Sequence, residues 1–592
     1  MRGLNQAIAV SIALVGVGSC GPAPESALPG AQAVQGVQAK PTRAIDADLT
    51  DVTVSGLQAL YTEKRYSVVE VVRWHLDRID RYNGIYGAIE TVLREDALAV
   101  AARLDAEAAR GGAVRGPLWG VPIVIKANTS VRGQVTTAGW EGFTRAGLEL
   151  VAPDDATIVT RFRAAGAIIV GLANMPDLAN SDTNRSSSFG RTGNAYDVRF
   201  SPGGSSGGVV TAVATNMAVL GNGTDTGNSI RMPAATSALV GVFPTRGLVS
   251  IAGITPLDWL LDNTGPIART VADAAIALAV MSGTDSLDAP TLLAPDSARL
   301  TSYRPLLERA SLRGKRFGVP AFVLAGDGIP FHGIPSRVPA AVAESIRVVA
   351  NMRLHPETRA LFMQAIEALR AAGAEVIVSD DLLPASFAQL ASRVSTYAYM
   401  QDGTDRFLAR FGPPAYRSAD AYLKAVGKPL YTSSIGTEDS FRDMGGVRLR
   451  QRVLAADPEA DALYVGPKRA MLAAYVAALD QRRLDGLVYP AIQMPPVDET
   501  MPQDGAVSTG PHSATSWINM IGVPAVVVPA GTYASGLPFG LEFSARPWSD
   551  GSLLAIAQAW EQATPRRKLP TLVERGLLPV TPARRARIAS RD

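Results

Sequence analysis

The chain has 592 residues, of which 47% are hydrophobic and 19% charged, and its formal net charge is +3. A sequence this long and this apolar buries a large core, which excludes a disordered regulator or a coiled coil. The near-balanced charge, with no Lys/Arg run set among aromatic platforms, excludes nucleic acid as the main partner.

Arg2 precedes a short apolar segment, Ala7 to Val17, followed by Gly18-Ser19-Cys20. That segment is too short to span a bilayer and has the layout of a secretory signal. Small residues in front of Cys20 make residues 1–20 a signal peptide of lipoprotein type, with Cys20 lipidated. The alternative is ordinary cleavage nearby with Cys20 incidental. The expected location is therefore exported, either periplasmic or held at a bacterial membrane through that N-terminal lipid. Cys20 is the single cysteine, so no intramolecular disulfide or cysteine-based metal site can form. Residues 21–44, rich in Pro, Gly, Ala and Gln, read as a flexible tether, 45–575 as one large domain, and 576–592 as a basic tail.

From Leu49 to about Arg110 the spacing is helical, with Val68, Val69, Val72, Leu76 and Ile79 on one face. LWGVPIVIKAN (118–128) is a short β-branched strand closed by a polar turn. Thr157 to Ala165 is a helix feeding the strand AIIVGLAN (167–174), and the pattern recurs at 365–378 and before LDGLVYP (484–490). RFGVPAFVL (316–324) is another strand, followed by a long Gly/Pro-bearing insertion (325–355) that is either a lid or surface decoration. Helices alternating with buried strands predict a single large α/β/α sandwich around a mixed, mostly parallel sheet. Two uncharged stretches, Ser201–Thr224 and Ala514–Leu541, are expected to be its innermost strands and loops.

Two glycine–serine clusters, SPGGSSGG (201–208) and GTDTGNSIR (223–231), admit three readings: a flexible spacer, a phosphate-cradling loop, or the working parts of a hydrolase. A spacer is unlike the apolar GGVVTAVATNMAVLG into which the first cluster runs, and neither cluster has the GxxxxGK[ST] or GxGxxG form of a phosphate cradle. Gly203-Gly204-Ser205-Ser206-Gly207 does fit the G-x-S-x-G nucleophile elbow, which requires a histidine base. Of His75, His332, His355 and His512, only His512 is placed to serve a histidine-dependent esterase. Lys126, ending the apolar strand GVPIVIK, is the other base, because burial favours its neutral amine. From the strand alone, a lysine snorkelling at a strand end is the better explanation.

GVPIVIK, SPGGSSGG and GTDTGNSIR, in this order and with these gaps, resemble the amidase signature family of serine hydrolases. The resemblance continues through FPTRGLVS, DNTGPIARTVADAA, LRGKRFGVP and NMIGVPAVVVPAG…GLPFGLEF, so it covers nearly everything from Leu49 to Pro570. It is nearest in character to secreted bacterial amidases and peptide amidases, and makes 45–575 a catalytic domain. The family's Ser–cis-Ser–Lys triad implies Ser229 as nucleophile, Ser205 as the bridging serine after a cis peptide, and Lys126 as base. The backbone N–H groups of Thr226, Gly227, Asn228 and Ser229, where a Gly-rich loop enters a helix, would form the oxyanion hole. Ser206 and Arg231 would brace the loop. Asp225 would brace it too or be a buried structural carboxylate.

Two departures stand out. Asn228 sits where many relatives have Gly, and Ala127-Asn128 follows the lysine where relatives often have Asp-Asn. The expected reaction is hydrolysis of a small amide, anilide, carbamate or peptide-terminal amide, with ester cleavage alongside and no metal or cofactor. The other readings are a subunit of a tRNA-dependent amidotransferase, the histidine-dependent esterase, and a binding lipoprotein on an inactive scaffold. Oligomeric state is not readable from the sequence.

Overall fold

The computed structural model describes residues 44–111, 116–325, 354–379, 381–383, 387, 394, 396–427, 451–499, 513, 515–570 and 587–588. The signal segment with Cys20, the tether, the 325–355 insertion apart from its ends, His332 and His512 lie outside the described residues. So does the tail, except for 587–588.

In chain order the strands are β1 (Ile89–Val92), β2 (Pro122–Lys126), β3 (Ile168–Ala173), β4 (Arg185–Ser186), β5 (Gly190–Arg191), β6 (Leu220–Asp225) and β7 (Val240–Phe243). They continue with β8 (Asn263–Ala268), β9 (Arg316–Pro320), β10 (Glu375–Ser379), β11 (Gly486–Pro490), β12 (Ala525–Thr532), β13 (Pro538–Ser544) and β14 (Arg587–Ile588). All but the small β4–β5 ribbon join one sheet, in the order β10-β9-β11-β13-β12-β7-β8-β6-β2-β3-β1-β14.

The sheet is mixed and helix-covered, as expected for an α/β/α sandwich, but its parallel pairing is confined to the flanks. Strands β10, β9 and β11 run parallel, as do β6, β2 and β3, where helices 356–371 and 157–164 make the crossovers. From β11 through β13, β12, β7 and β8 to β6 every ladder is antiparallel. The expectation of a mostly parallel sheet is corrected there. For one of these ladders the reason is local: β12 and β13 are joined by a tight turn in which Tyr533 N donates to Leu537 O at 2.8 Å and Gly536 takes φ +86°. A turn that short leaves no room for a crossover helix.

The helical reading of 49–110 resolves into helices 54–62, 68–86 and 94–109 with a strand it did not anticipate. Helix 68–86 begins at a Ser67/Glu70 capping box and ends at Gly87 in the left-handed conformation. The next residues, Ile-Glu-Thr-Val, form β1 and pair antiparallel with β3. Similarly, RFGVPAFVL is strand only through Pro320, and helix 321–325 follows. The uncharged stretch from 201 to 224 is buried throughout, and no described helix is long and apolar enough to cross a membrane.

A smaller helical unit, made of segments 396–411 and 452–465, stands over the loop 255–262; its two parts are joined by Arg452 N donating to Ala398 O at 2.7 Å and Leu454 N donating to Asp402 Oδ2 at 3.1 Å. Leu260, Ala398, Tyr399 and Tyr464 form its buried contact with that loop.

Candidate active site

Strands β2 and β6 are parallel neighbours, so Lys126 and Asp225, their last residues, leave the sheet at the same edge. Helix 207–214 precedes β6 and packs on β2 and β6. A helix returning to such a strand starts where the strand ends, and this brings Ser205 and Ser206 to the same edge. The peptide Gly204–Ser205 is cis. Gly204 has to be glycine, since a Cβ there would meet Ser181 O at 2.3 Å and Thr183 O at 2.5 Å.

Lys126 is fully buried, and its Nζ contacts four oxygens: Ser205 Oγ at 2.7 Å, Thr224 Oγ1 at 2.8 Å, Ser206 Oγ at 2.9 Å and Thr224 O at 3.3 Å. Loss of hydration drives its pKa down from 10.5 to about 7, against the opposing pull of Asp225 and Asp262. Among the described residues no counter-ion touches the amine; the shell is hydroxyl and carbonyl oxygen. A neutral amine can satisfy three of these four contacts, donating to two oxygens and accepting a proton from one hydroxyl. The strand-end snorkelling alternative is thereby removed, because the amine reaches no solvent.

The loop after β6 carries the second cluster. Ser229 is 6% exposed, and its carbonyl accepts from Ser206 N at 3.3 Å, which sets the two serine clusters side by side. The Ser229 hydroxyl makes no hydrogen bond to Ser205 or Lys126, so the structure joins Lys126 to Ser205 directly and leaves Ser229 adjacent. The backbone N–H groups of Thr226, Gly227, Asn228 and Ser229 have no acceptor among the described residues, whereas Ile230 N and Arg231 N are both taken by Asp225 Oδ2. Four successive amides without an acceptor thus lie beside the buried Ser229.

Arg231 and Asp225 brace this turn. Arg231 donates from Nε to Asp225 Oδ2 at 3.1 Å, from Nη2 to Gly227 O at 2.7 Å and Asn519 Oδ1 at 2.6 Å, and from Nη1 to Glu542 Oε1 at 2.9 Å and Thr515 Oγ1 at 2.8 Å. Burial pushes the Asp225 carboxyl up, but Arg231 and the hydrogen bonds outweigh it and hold the pKa below the usual range. For Glu542 burial wins, and its pKa is raised. Ser206, expected as a brace, touches the lysine itself.

The two departures also find places. Asn228 Nδ2 donates to Asp182 Oδ1 at 3.2 Å, and Ala127, where relatives often have Asp, is wholly buried, its N donating to Ala173 O at 3.1 Å and its O accepting from Ala138 N at 3.0 Å; Asn128 Nδ2 next to it donates to Thr224 Oγ1 at 3.1 Å. Sequence reasoning missed Thr224, Asn222, Asp262, Asn519 and Glu542. Asn222, whose Oδ1 accepts from Lys126 N at 3.1 Å, and Thr224 are polar residues in a fully buried strand; Glu542 is the one acid in GLPFGLEF. Those mismatches with their surroundings were the available signals.

His75 lies in the core with Nδ1 3.1 Å from Asn216 O, and burial drives its pKa down to about 3. His355 caps helix 356–371. Neither hydrogen-bonds a serine of the site, and among the described residues no group of His, Cys, Asp and Glu could hold a metal ion.

A family profile described as Amidase matches residues 70–330 and 336–554. A glutamyl-tRNA(Gln) amidotransferase subunit of Symbiobacterium thermophilum is 34% identical over 540 residues, 89% of this chain and 99% of that protein. The native peptide amidase of Stenotrophomonas maltophilia superposes with a TM-score of 0.69 at 31% identity, covering 88% of this chain and 98% of its own. The 6-aminohexanoate cyclic dimer hydrolase shares the fold, with a TM-score of 0.66 at 23% identity over 89% of this chain and 100% of its own. The chain belongs to the amidase signature family of enzymes, which act on carbon–nitrogen bonds.

Proposed function

We propose that the protein hydrolyses a small carboxamide, anilide, carbamate or peptide-terminal amide through a serine acyl-enzyme, with Ser229 as nucleophile, Ser205 as relay and Lys126 as base. The observation that carries the reading is the buried Lys126 amine, 2.7 Å from Ser205 Oγ and with a pKa brought to about 7. At neutral pH that amine takes the Ser205 proton as Ser205 takes the Ser229 proton, and the Ser229 oxygen attacks the carbonyl carbon. The free amides of 226–229 receive the developing oxyanion, an interaction worth roughly 3 kcal/mol per donor in related chemistry. The relay then runs backwards and protonates the leaving nitrogen. Water enters by the same route and releases the acid. The link from Ser205 to Ser229 tightens when substrate fills the site, as catalytic hydrogen bonds commonly do.

The peptide amidase likeness favours a hydrolase. The identity to the amidotransferase component favours a second reading, in which the same acyl chemistry delivers ammonia to an acceptor on a partner. The export signal read in residues 1–20 goes with the first reading and with a periplasmic or lipid-anchored enzyme. Assay of the purified chain alone on p-nitroanilides, primary amides, peptide amides and carbamates decides. Turnover with release of free acid supports the hydrolase. Turnover only when a partner is added supports the transferase. Fluorophosphonate labelling that survives Ser229→Ala would overturn both.

A further inference from the structure

Asp262 lies in the loop between the helical unit of segments 396–411 and 452–465 and the turn that carries Ser229. Its Oδ1 accepts from Thr226 Oγ1 at 2.5 Å and from Asp258 N at 3.2 Å, and its Oδ2 accepts from Leu257 N at 3.0 Å. Thr226 carries the first of the four free amides. On its other side the loop is fastened to the helical unit: Trp259 Nε1 donates to Tyr399 O at 2.9 Å, Tyr464 Oη donates to Leu260 O at 3.1 Å, and Asp258 accepts from Thr396. Arg406 lies over the Trp259 ring at 4.8 Å. At its ends the loop is tied to the site again, by Thr255 N donating to Asn128 O at 2.7 Å and by Asn263 pairing with Asp225.

We propose that Asp262 is a positioning residue of the reaction, fixing through Thr226 the turn that presents the amides of 226–229 and registering that turn against the helical unit. The proposal rests on Ser229 as the attacking residue. A threonine hydroxyl bound to a buried carboxylate cannot rotate freely, so the turn starts from one defined geometry. The helical unit thereby shares in the placement of the oxyanion donors, although none of its described side chains hydrogen-bonds Lys126, Ser205 or Ser229.

The carboxylate has a second effect that a merely structural group would not have. Lys126 feels two anions, Asp225 at the end of β6 and Asp262 on this loop, within its shell of Ser205, Ser206 and Thr224. Asp262 in turn faces Asp258 and Arg246, and burial raises its own pKa. Removing its charge leaves the protonated amine less favoured, so the lysine loses its proton at lower pH.

The test uses Asp262→Asn, Thr226→Val and Thr226→Ser, assayed on a chromogenic ester or anilide with Lys126→Ala alongside. Asp262→Asn and Thr226→Val are expected to lower kcat roughly 10- to 100-fold, less than deletion of an oxyanion donor, with KM changed less than about threefold. Thr226→Ser, which restores the hydroxyl, recovers most of the loss. The acidic limb of the kcat/KM profile moves to lower pH in Asp262→Asn and stays in place in Thr226→Val. A wild-type kcat in Thr226→Val, no rescue by Thr226→Ser, or an unmoved limb in folded Asp262→Asn overturns the proposal. If Asp262→Asn does not fold, the two threonine variants decide alone. Activity in Lys126→Ala instead sinks the serine–lysine mechanism, whatever the Asp262 result.

Discussion

Arg231 and Glu542 stand 311 positions apart in the chain, yet the guanidinium donates to the Glu542 carboxylate at 2.9 Å with both side chains wholly buried. Arg231 also holds Asp225 and the Gly227 carbonyl, so one cation ties the serine-bearing loop to β13. The loop's shape is therefore set from the far end of the sequence.

Removing that cation leaves two buried carboxylates unpaired. Arg231→Ala is expected to cost about 3–5 kcal/mol of stability, read by denaturant unfolding. Arg231→Lys should recover only part of it, because an ammonium cannot reproduce the planar fork that reaches Asp225, Gly227, Glu542 and Asn519 together. Full stability in Arg231→Ala would show that the network does not support the loop.

Lys126→Ala, Ser205→Ala and Ser229→Ala should each lower kcat/KM by roughly 10³-fold or more while the far-ultraviolet circular dichroism stays that of the wild type. Fluorophosphonate labelling should vanish in Ser229→Ala. It should slow markedly in Lys126→Ala, where the hydroxyl remains but its base is gone.

The pH profile follows from the Lys126 amine. Burial lowers its pKa from 10.5 to about 7, and only the neutral form accepts a proton. Hence kcat/KM should fall about tenfold per pH unit below neutrality and level off above it. Stability moves in the same direction for the same reason. Between about 7 and 10.5 the unfolded lysine binds a proton that the folded one does not, so this group's contribution to stability rises with pH across that window. A limb near pH 5 would point to a carboxylate base instead.

Asn228 separates backbone from side chain. Asn228→Gly keeps the free amide and loses only the bond to Asp182, worth on the order of 1 kcal/mol, so kcat should change less than about tenfold. Asn228→Pro deletes the N–H and should lower kcat roughly 10²- to 10³-fold on the same substrate. Equal behaviour of the two variants would remove this amide from the oxyanion site.

Local structure was legible wherever it depended on short-range order. The β-branched run ending at Lys126 is a strand because Pro-Ile-Val-Ile suits a pleat buried on both faces. The Gly-rich run to Ser205–Ser206 is a tight turn into a helix because only glycine tolerates the approach of Ser181 O and Thr183 O. The helix of 68–86 could be read from its apolar spacing, Ser67 and Gly87. The short strand Ile89–Val92 escaped because four residues between two helices show no period of their own. What the sequence could not express is partnership at a distance. Nothing near Arg231 indicates that Asn519 and Glu542 will receive its guanidinium, and nothing near Thr226 indicates Asp262. The antiparallel centre of the sheet, likewise, is decided by which strand edges meet. Local residue order determines which side chains can do chemistry here; packing alone determined their protonation and aim, since burial, by withholding water, sets the lysine's proton affinity and leaves each buried charge only the partners the fold brings to it.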